Sequence, residues 1–75
     1  MAELNARQEA FAVNVVKNGG DKVKARSDAG YSTKMSRVSQ GVDADKLYNH
    51  AKISLRIAEL QKEADRVAKE SFNIS

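Results

Sequence analysis

The sequence predicts an all-α fold: a small helix-turn-helix bundle of three to four helices followed by a longer C-terminal helix. Three observations carry this. Apolar residues recur three and four positions apart, β-branched residues are scattered rather than alternating, and proline is absent. Two units are expected, a helix-turn-helix bundle over residues 1–50 and a helix over 51–75 that leads toward or forms an oligomerisation segment.

The first helix is expected over residues 5–17. Asn5 is its N-cap, and Gln8 three residues later completes capping-box spacing. Leu4, Gln8, Phe11, Ala12, Val15 and Val16 share one stripe. Asn18-Gly19-Gly20 ends the helix, because glycine takes the left-handed cap conformation at little cost. Asp21 then caps a short second helix reaching Asp28 or Ala29. Val23, Ser27 and Ala25 are expected on its inner face, where small residues let a neighbour approach.

Gly30 breaks that helix, and Tyr31 offers an apolar body with a polar tip, suited to a half-buried corner. Ser32 is expected to cap a third helix over residues 33–40. Met35, Val38 and Val42 form its inner stripe, while Thr33, Ser36, Arg37 and Gln40 point outward with Lys34 on the flank. Beyond it, Gly41, Asp43 and Asp45 suggest a bend or a fresh N-cap, with a short helical turn over 45–48 and Leu47 and Tyr48 covering the core. The last helix is expected over residues 51–69. Ile53, Ile57, Leu60, Ala64 and Val67 alternate at spacings of four and three, and Ser71 and Ile74 keep the phase. This is a short heptad seam flanked by Arg56, Glu59, Lys62, Glu63 and Arg66. It suits packing within one chain or between copies equally well.

The totals narrow the function classes. A chain of 75 residues makes one modest core, and a domain of that size buries only about 60% of its unfolded surface. Cysteine is absent, so neither disulfides nor thiolate zinc sites staple it. Stability must come from helix packing or oligomerisation. No apolar run approaches the roughly 20 residues that span a bilayer, and the charged opening MAELNARQEA does not read as a secretory signal. An intracellular soluble protein is expected. Thirteen Lys and Arg against ten Asp and Glu give a mild net charge of +3. Placement says more than the total: Lys22, Lys24, Arg26, Lys34 and Arg37 crowd the turn against Asp21 and Asp28, and a local basic patch is what phosphate neutralisation requires.

The stretch SDAGYSTKMSRV meets the demands of a helix-turn-helix, in which two helices join through a tight turn and the second presents its N-terminal residues to base edges. Gly30 makes the turn and Ser32 starts the reader helix. Lys34 and Arg37 reach phosphate or guanine, and Thr33, Ser36 and Gln40 donate or accept on bases. Lys22 and Lys24 add phosphate contacts, and the helix start offers N–H groups to a phosphate. A plainer reading stands beside this. Many small helical domains have a glycine turn and a polar outer face, and a charged helix face is commonly just solvated.

Two motifs then carry a resemblance. Leu4, Arg7, Gln8 and Phe11 match a Leu-x-x-(Arg/Lys)-Gln-x-x-Phe opening, and Ala29-Gly30-Tyr31-Ser32 matches an Ala-Gly-Tyr-Ser turn followed by a basic residue, Lys34, and an arginine, Arg37. Together they resemble the N-terminal region of phage terminase small subunits. Leu47, Asn49, Ile53 and Ile57 are similar to a later Leu-Leu-x-Asn-Pro-x-Ile-x-x-x-Ile segment, so the resemblance covers about residues 4–61. The chain departs from the pattern at Thr33 and Ala51, where the family often has proline, and carries extra residues before Leu47. Members are usually longer. The resemblance implies a non-catalytic protein that binds the packaging site on double-stranded viral DNA in the host cytoplasm. It further implies assembly into a homo-oligomeric ring and recruitment of a large subunit that carries the ATPase and nuclease.

Other chemistry is not expected. Gly19-Gly20 is not followed by the Gly-Lys-Ser/Thr of a phosphate-binding loop, so no nucleotide cofactor is expected. His50 has no second histidine or cysteine near it for a metal, and Asp43 and Asp45 read as caps rather than ligands. A lone histidine without a motif argues against a catalytic triad. Tyr31 and Tyr48 read as core corners rather than base-stacking residues. The rivals to DNA packaging are a helical assembly module, in which the heptad is the function, and a helix-turn-helix transcription regulator with another DNA target.

Overall fold

The chain folds into α1 (Ala6–Lys17), α2 (Lys22–Asp28), α3 (Arg37–Asn49) and α4 (Ala51–Asn73). This computed structural model describes residues 4–73, with side chains over 4–69, and among them there is no strand.

Local chemistry sets the first two helices. The Asn5 side chain accepts from the Gln8 N–H at 2.8 Å while the Gln8 side chain accepts from the Asn5 N–H at 3.0 Å, a complete capping box. At the far end Gly19 and Gly20 take φ of 78° and 103°. The Gly20 N–H returns to the Val15 carbonyl at 2.9 Å. Asn18 braces this turn, its Oδ1 accepting from the N–H of Asp21 at 2.8 Å. Asp21 caps α2 through the Lys24 N–H at 3.0 Å. The end of α2 is a Schellman motif: Gly30 has φ of 96°, its N–H reaches Ser27 O, and the Tyr31 N–H reaches Arg26 O at 3.3 Å.

Beyond Gly30 the structure corrects the expected course. Residues 31–36 are not helical, and α3 begins at Arg37. Its cap is Ser36, whose Oγ accepts from the Ser39 N–H at 3.1 Å, not Ser32. The helix runs without a break through Gly41, Asp43 and Asp45 to Asn49. Met35, Val38 and Val42 are not an inner stripe but are 38%, 77% and 51% exposed. The face turned inward is Gln40, Ala44 and Leu47, with Ala44 fully buried. The physical reason lies on α2. Its buried residues are Ala25 and Arg26, whereas Val23 and Ser27 are exposed. Arg26 holds Asp43, which turns α3 so that its valines look outward.

The core gathers Phe11, Ala12 and Val15 from α1, Ala25 from α2, and Ile53 and Ile57 from α4. Leu4, Val16, Ala29, Tyr31, Leu47 and Leu60 pack around it. The α4 helix leaves α3 with only His50 between them, and the Ser54 N–H bonds the His50 carbonyl at 2.8 Å. The first part of α4 is therefore part of the bundle. Ile53 and Ile57 belong to the chain's own core and are not available as an oligomer seam; Ala64 and Val67 are exposed. The Ser71 side chain and Ile74 lie outside the described residues.

Candidate nucleic-acid interface

The connection between α2 and α3 is built around a buried arginine. Arg26 is 2% exposed, and each of its three guanidinium nitrogens has a partner. Nε donates to Asp43 Oδ2 at 2.7 Å, one terminal nitrogen to the Ser32 carbonyl at 2.6 Å, and the other faces Met35 Sδ at 3.6 Å. The Tyr31 ring lies beneath it at 5.7 Å. Arg7 of α1 also stands 5.5 Å from the centre of that ring. Burial raises the Tyr31 phenol above its ordinary pKa, and the two guanidiniums oppose that rise. Arg26 thus joins the loop to α2 and α3 through directed bonds that a hydrophobic residue would lack.

The candidate DNA contacts divide accordingly. Lys22 is committed: its ammonium pairs with Asp45 at 2.5 Å and sits 5.1 Å from the Tyr48 ring. Gln40 is a clamp, its amide donating to the carbonyls of Met35 at 3.0 Å and Thr33 at 3.4 Å. Ser32 orders the loop, its Oγ accepting from the Lys34 N–H at 3.2 Å, and Ser36 is occupied as the cap of α3. Thr33 is exposed in the loop. Lys24, Lys34 and Arg37 are exposed and have no ion pair among the described residues.

The two acids of α3 are not caps. Asp43 pairs with Arg26 and Asp45 with Lys22, so both charges are neutralised from α2. From Tyr31 to Val42 the chain has no acidic residue. The surface left by the loop and the outer side of α3 is therefore cationic, carried by Lys34, Arg37 and Lys46. The sequence reading placed Arg26 in the basic patch and Arg7 in the opening motif without foreseeing the contacts they make, and it did not single out Lys46. A signal existed for the first: Lys22 and Arg26 stand one turn apart on α2, and Asp43 and Asp45 follow on α3.

Two further features frame the site. Arg56 of α4 holds Glu9 of α1 through both carboxylate oxygens, at 2.9 to 3.1 Å, which raises the guanidinium pKa further. Past that clamp, Val13, Val16, Leu60, Ala64, Val67 and Ala68 line an open groove of about 480 Å³ between α1 and α4. Among the described residues no cluster of three or more His, Cys, Asp or Glu is placed to hold a metal ion. No helix among them is long and apolar enough to cross a membrane. No protein-family model, no curated protein and no solved structure matches the chain.

Proposed function

We propose that this chain is a non-catalytic DNA-binding protein of viral genome packaging, acting as terminase small subunits do. It grips duplex DNA with Lys34 of the loop and Arg37 at the start of α3, assisted by Lys24, Ser32 and Thr33. The observation that carries the reading is the acid-free stretch over residues 31–42, whose cations have no ion pair among the described residues while the nearby aspartates pair with α2. The two motifs of the resemblance also meet in space. Leu4, Phe11 and Tyr31 share one core, and Arg7 lies over the Tyr31 ring. In this reading the packaging site is the target, a ring of copies raises a weak single-site affinity by avidity, and the large subunit supplies the ATPase and nuclease.

The test is binding to duplex DNA across a salt series. Each phosphate contact adds about 0.9 to the slope of log affinity against log salt. Lys34→Ala/Arg37→Ala should weaken binding and flatten that slope by about two contacts, with helicity unchanged because both side chains are exposed. Absence of binding at low salt would overturn the reading.

One observation favours a second reading. The α1/α4 groove is lined by Val13, Val16, Leu60, Ala64, Val67 and Ala68 with Lys17 and Glu63 beside them, an exposed apolar surface of the kind a helical assembly module requires. Stable multimers by light scattering, with no affinity for DNA, would select it.

A further inference from the structure

The outer face of α3 does not look like a solvated helix face. Val38, at 77% the most exposed large apolar residue among the described ones, is followed one turn later by Val42 at 51%, and Met35 at 38% leads into them from the loop. Met35, Val38, Ser39, Val42 and Lys46 line one shallow depression together with Asp43. Asp43, 42% exposed, has one carboxylate oxygen held by Arg26, Lys46 lines the depression with it, and Lys34 and Arg37 are exposed next to Met35 and Val38 in the chain. A strip of methyl groups one helix wide, edged by cations, is the complement of a major groove. There, phosphates flank the bases and thymine is the one base that presents a methyl group. The composition argues against a protein occupant: the strip has no Trp or Tyr anchor, and valine is under-represented among residues that dominate protein interfaces.

Resting on the DNA-binding reading above, we propose that Val38 and Val42 are specificity-determining residues that read thymine methyl groups, with Ser39 beside them, while Lys34, Arg37 and Lys46 hold the flanking phosphates. This moves base reading from the loop residues to the second and sixth positions of α3. Gln40 and Ser36 then support the reader helix rather than touch bases.

The experiment compares alternating poly(dA-dT) with poly(dA-dU) duplexes of equal length, which differ by the thymine methyl and keep the same hydrogen-bonding edges. The native chain should prefer the thymine duplex by about three- to fourfold per methyl contacted, the ratio that corresponds to about 0.8 kcal/mol for a buried methyl-sized group. Val38→Ser/Val42→Ser should bind both duplexes equally. Val38→Ala/Val42→Ala, which favours helix, should show a reduced preference and serves if the serine pair loses helicity. Equal binding of both duplexes by the native chain, with salt dependence intact, overturns the inference and leaves DNA binding standing. So does a thymine preference of undiminished size in both valine variants. If the native chain binds neither duplex at low salt, the DNA-binding reading fails and the inference with it. A change in the solution mass of the valine variants, without a change in DNA affinity, would make the strip a protein contact and would also overturn it.

Discussion

At the scale of single residues the decisive side chain is Arg26. A guanidinium 2% exposed is costly to desolvate, and its position is sustained because Asp43, the Ser32 carbonyl and the Tyr31 ring each take one side of it. The consequence is asymmetric. Asp43 is itself 42% exposed and would tolerate solvent, whereas Arg26 without Asp43 is left as a buried charge. Asp43→Ala should therefore destabilise the fold by about 3 kcal/mol, read as a lower denaturant midpoint. Asp45→Ala, which breaks the more exposed pair with Lys22, should cost under about 1 kcal/mol. Equal effects would mean that burial does not distinguish the two pairs. No sequence rule places an arginine inside; the spacing of Lys22 and Arg26 could suggest partners on α3, but not which of the two would be covered.

At the scale of elements, helix ends depend on bonds between near neighbours. Asn5 with Gln8, Gly19 after Val15, Asp21 with Lys24 and Gly30 after Ser27 each act within a few residues, and all were legible before any tertiary contact was known. The start of α3 was not. Ser32 and Ser36 are both plausible caps by residue type, and the choice between them is made elsewhere. Arg26 takes the Ser32 carbonyl and Gln40 takes those of Thr33 and Met35, which draws the loop out of helical register until Ser36. Ser36→Ala should then cost about 1 kcal/mol, with a matching loss of thermal stability, and Ser32→Ala under about 0.5 kcal/mol. The reverse order would return the helix start to residue 33.

At the scale of the whole molecule, α4 has two jobs. Its first half supplies Ile53 and Ile57 to a core shared with α1, and the Arg56–Glu9 clamp pins it there. Farther along the same stripe, Leu60 is half-buried, while Ala64 and the 53% exposed Val67 border the groove. A continuous heptad thus changes role part-way, because α1 contributes only twelve residues against the twenty-three of α4. Ile53→Ala should destabilise the monomer by about 3 kcal/mol. Val67→Lys should leave stability within about 0.5 kcal/mol. If copies associate through the groove, the same Val67 variant should lower the solution mass measured by light scattering. A large loss of stability from Val67→Lys would place that residue in the monomer core.

The sequence by itself determined the all-helical class, both ends of the first two helices, the start of the last one and the inward stripe of Phe11, Ala12 and Val15. These follow from caps, glycine conformations and apolar spacing, all of which act over a turn or two of chain. Only the tertiary structure decided which face of α3 is buried, where that helix begins, which basic residues are neutralised and where the α4 stripe stops being core. Those outcomes depend on which residues from distant segments meet. The meeting of Arg26 with Asp43 turns a helix whose apolar residues would otherwise have been expected inside, and leaves Val38 and Val42 exposed beside Lys34, Arg37 and Lys46.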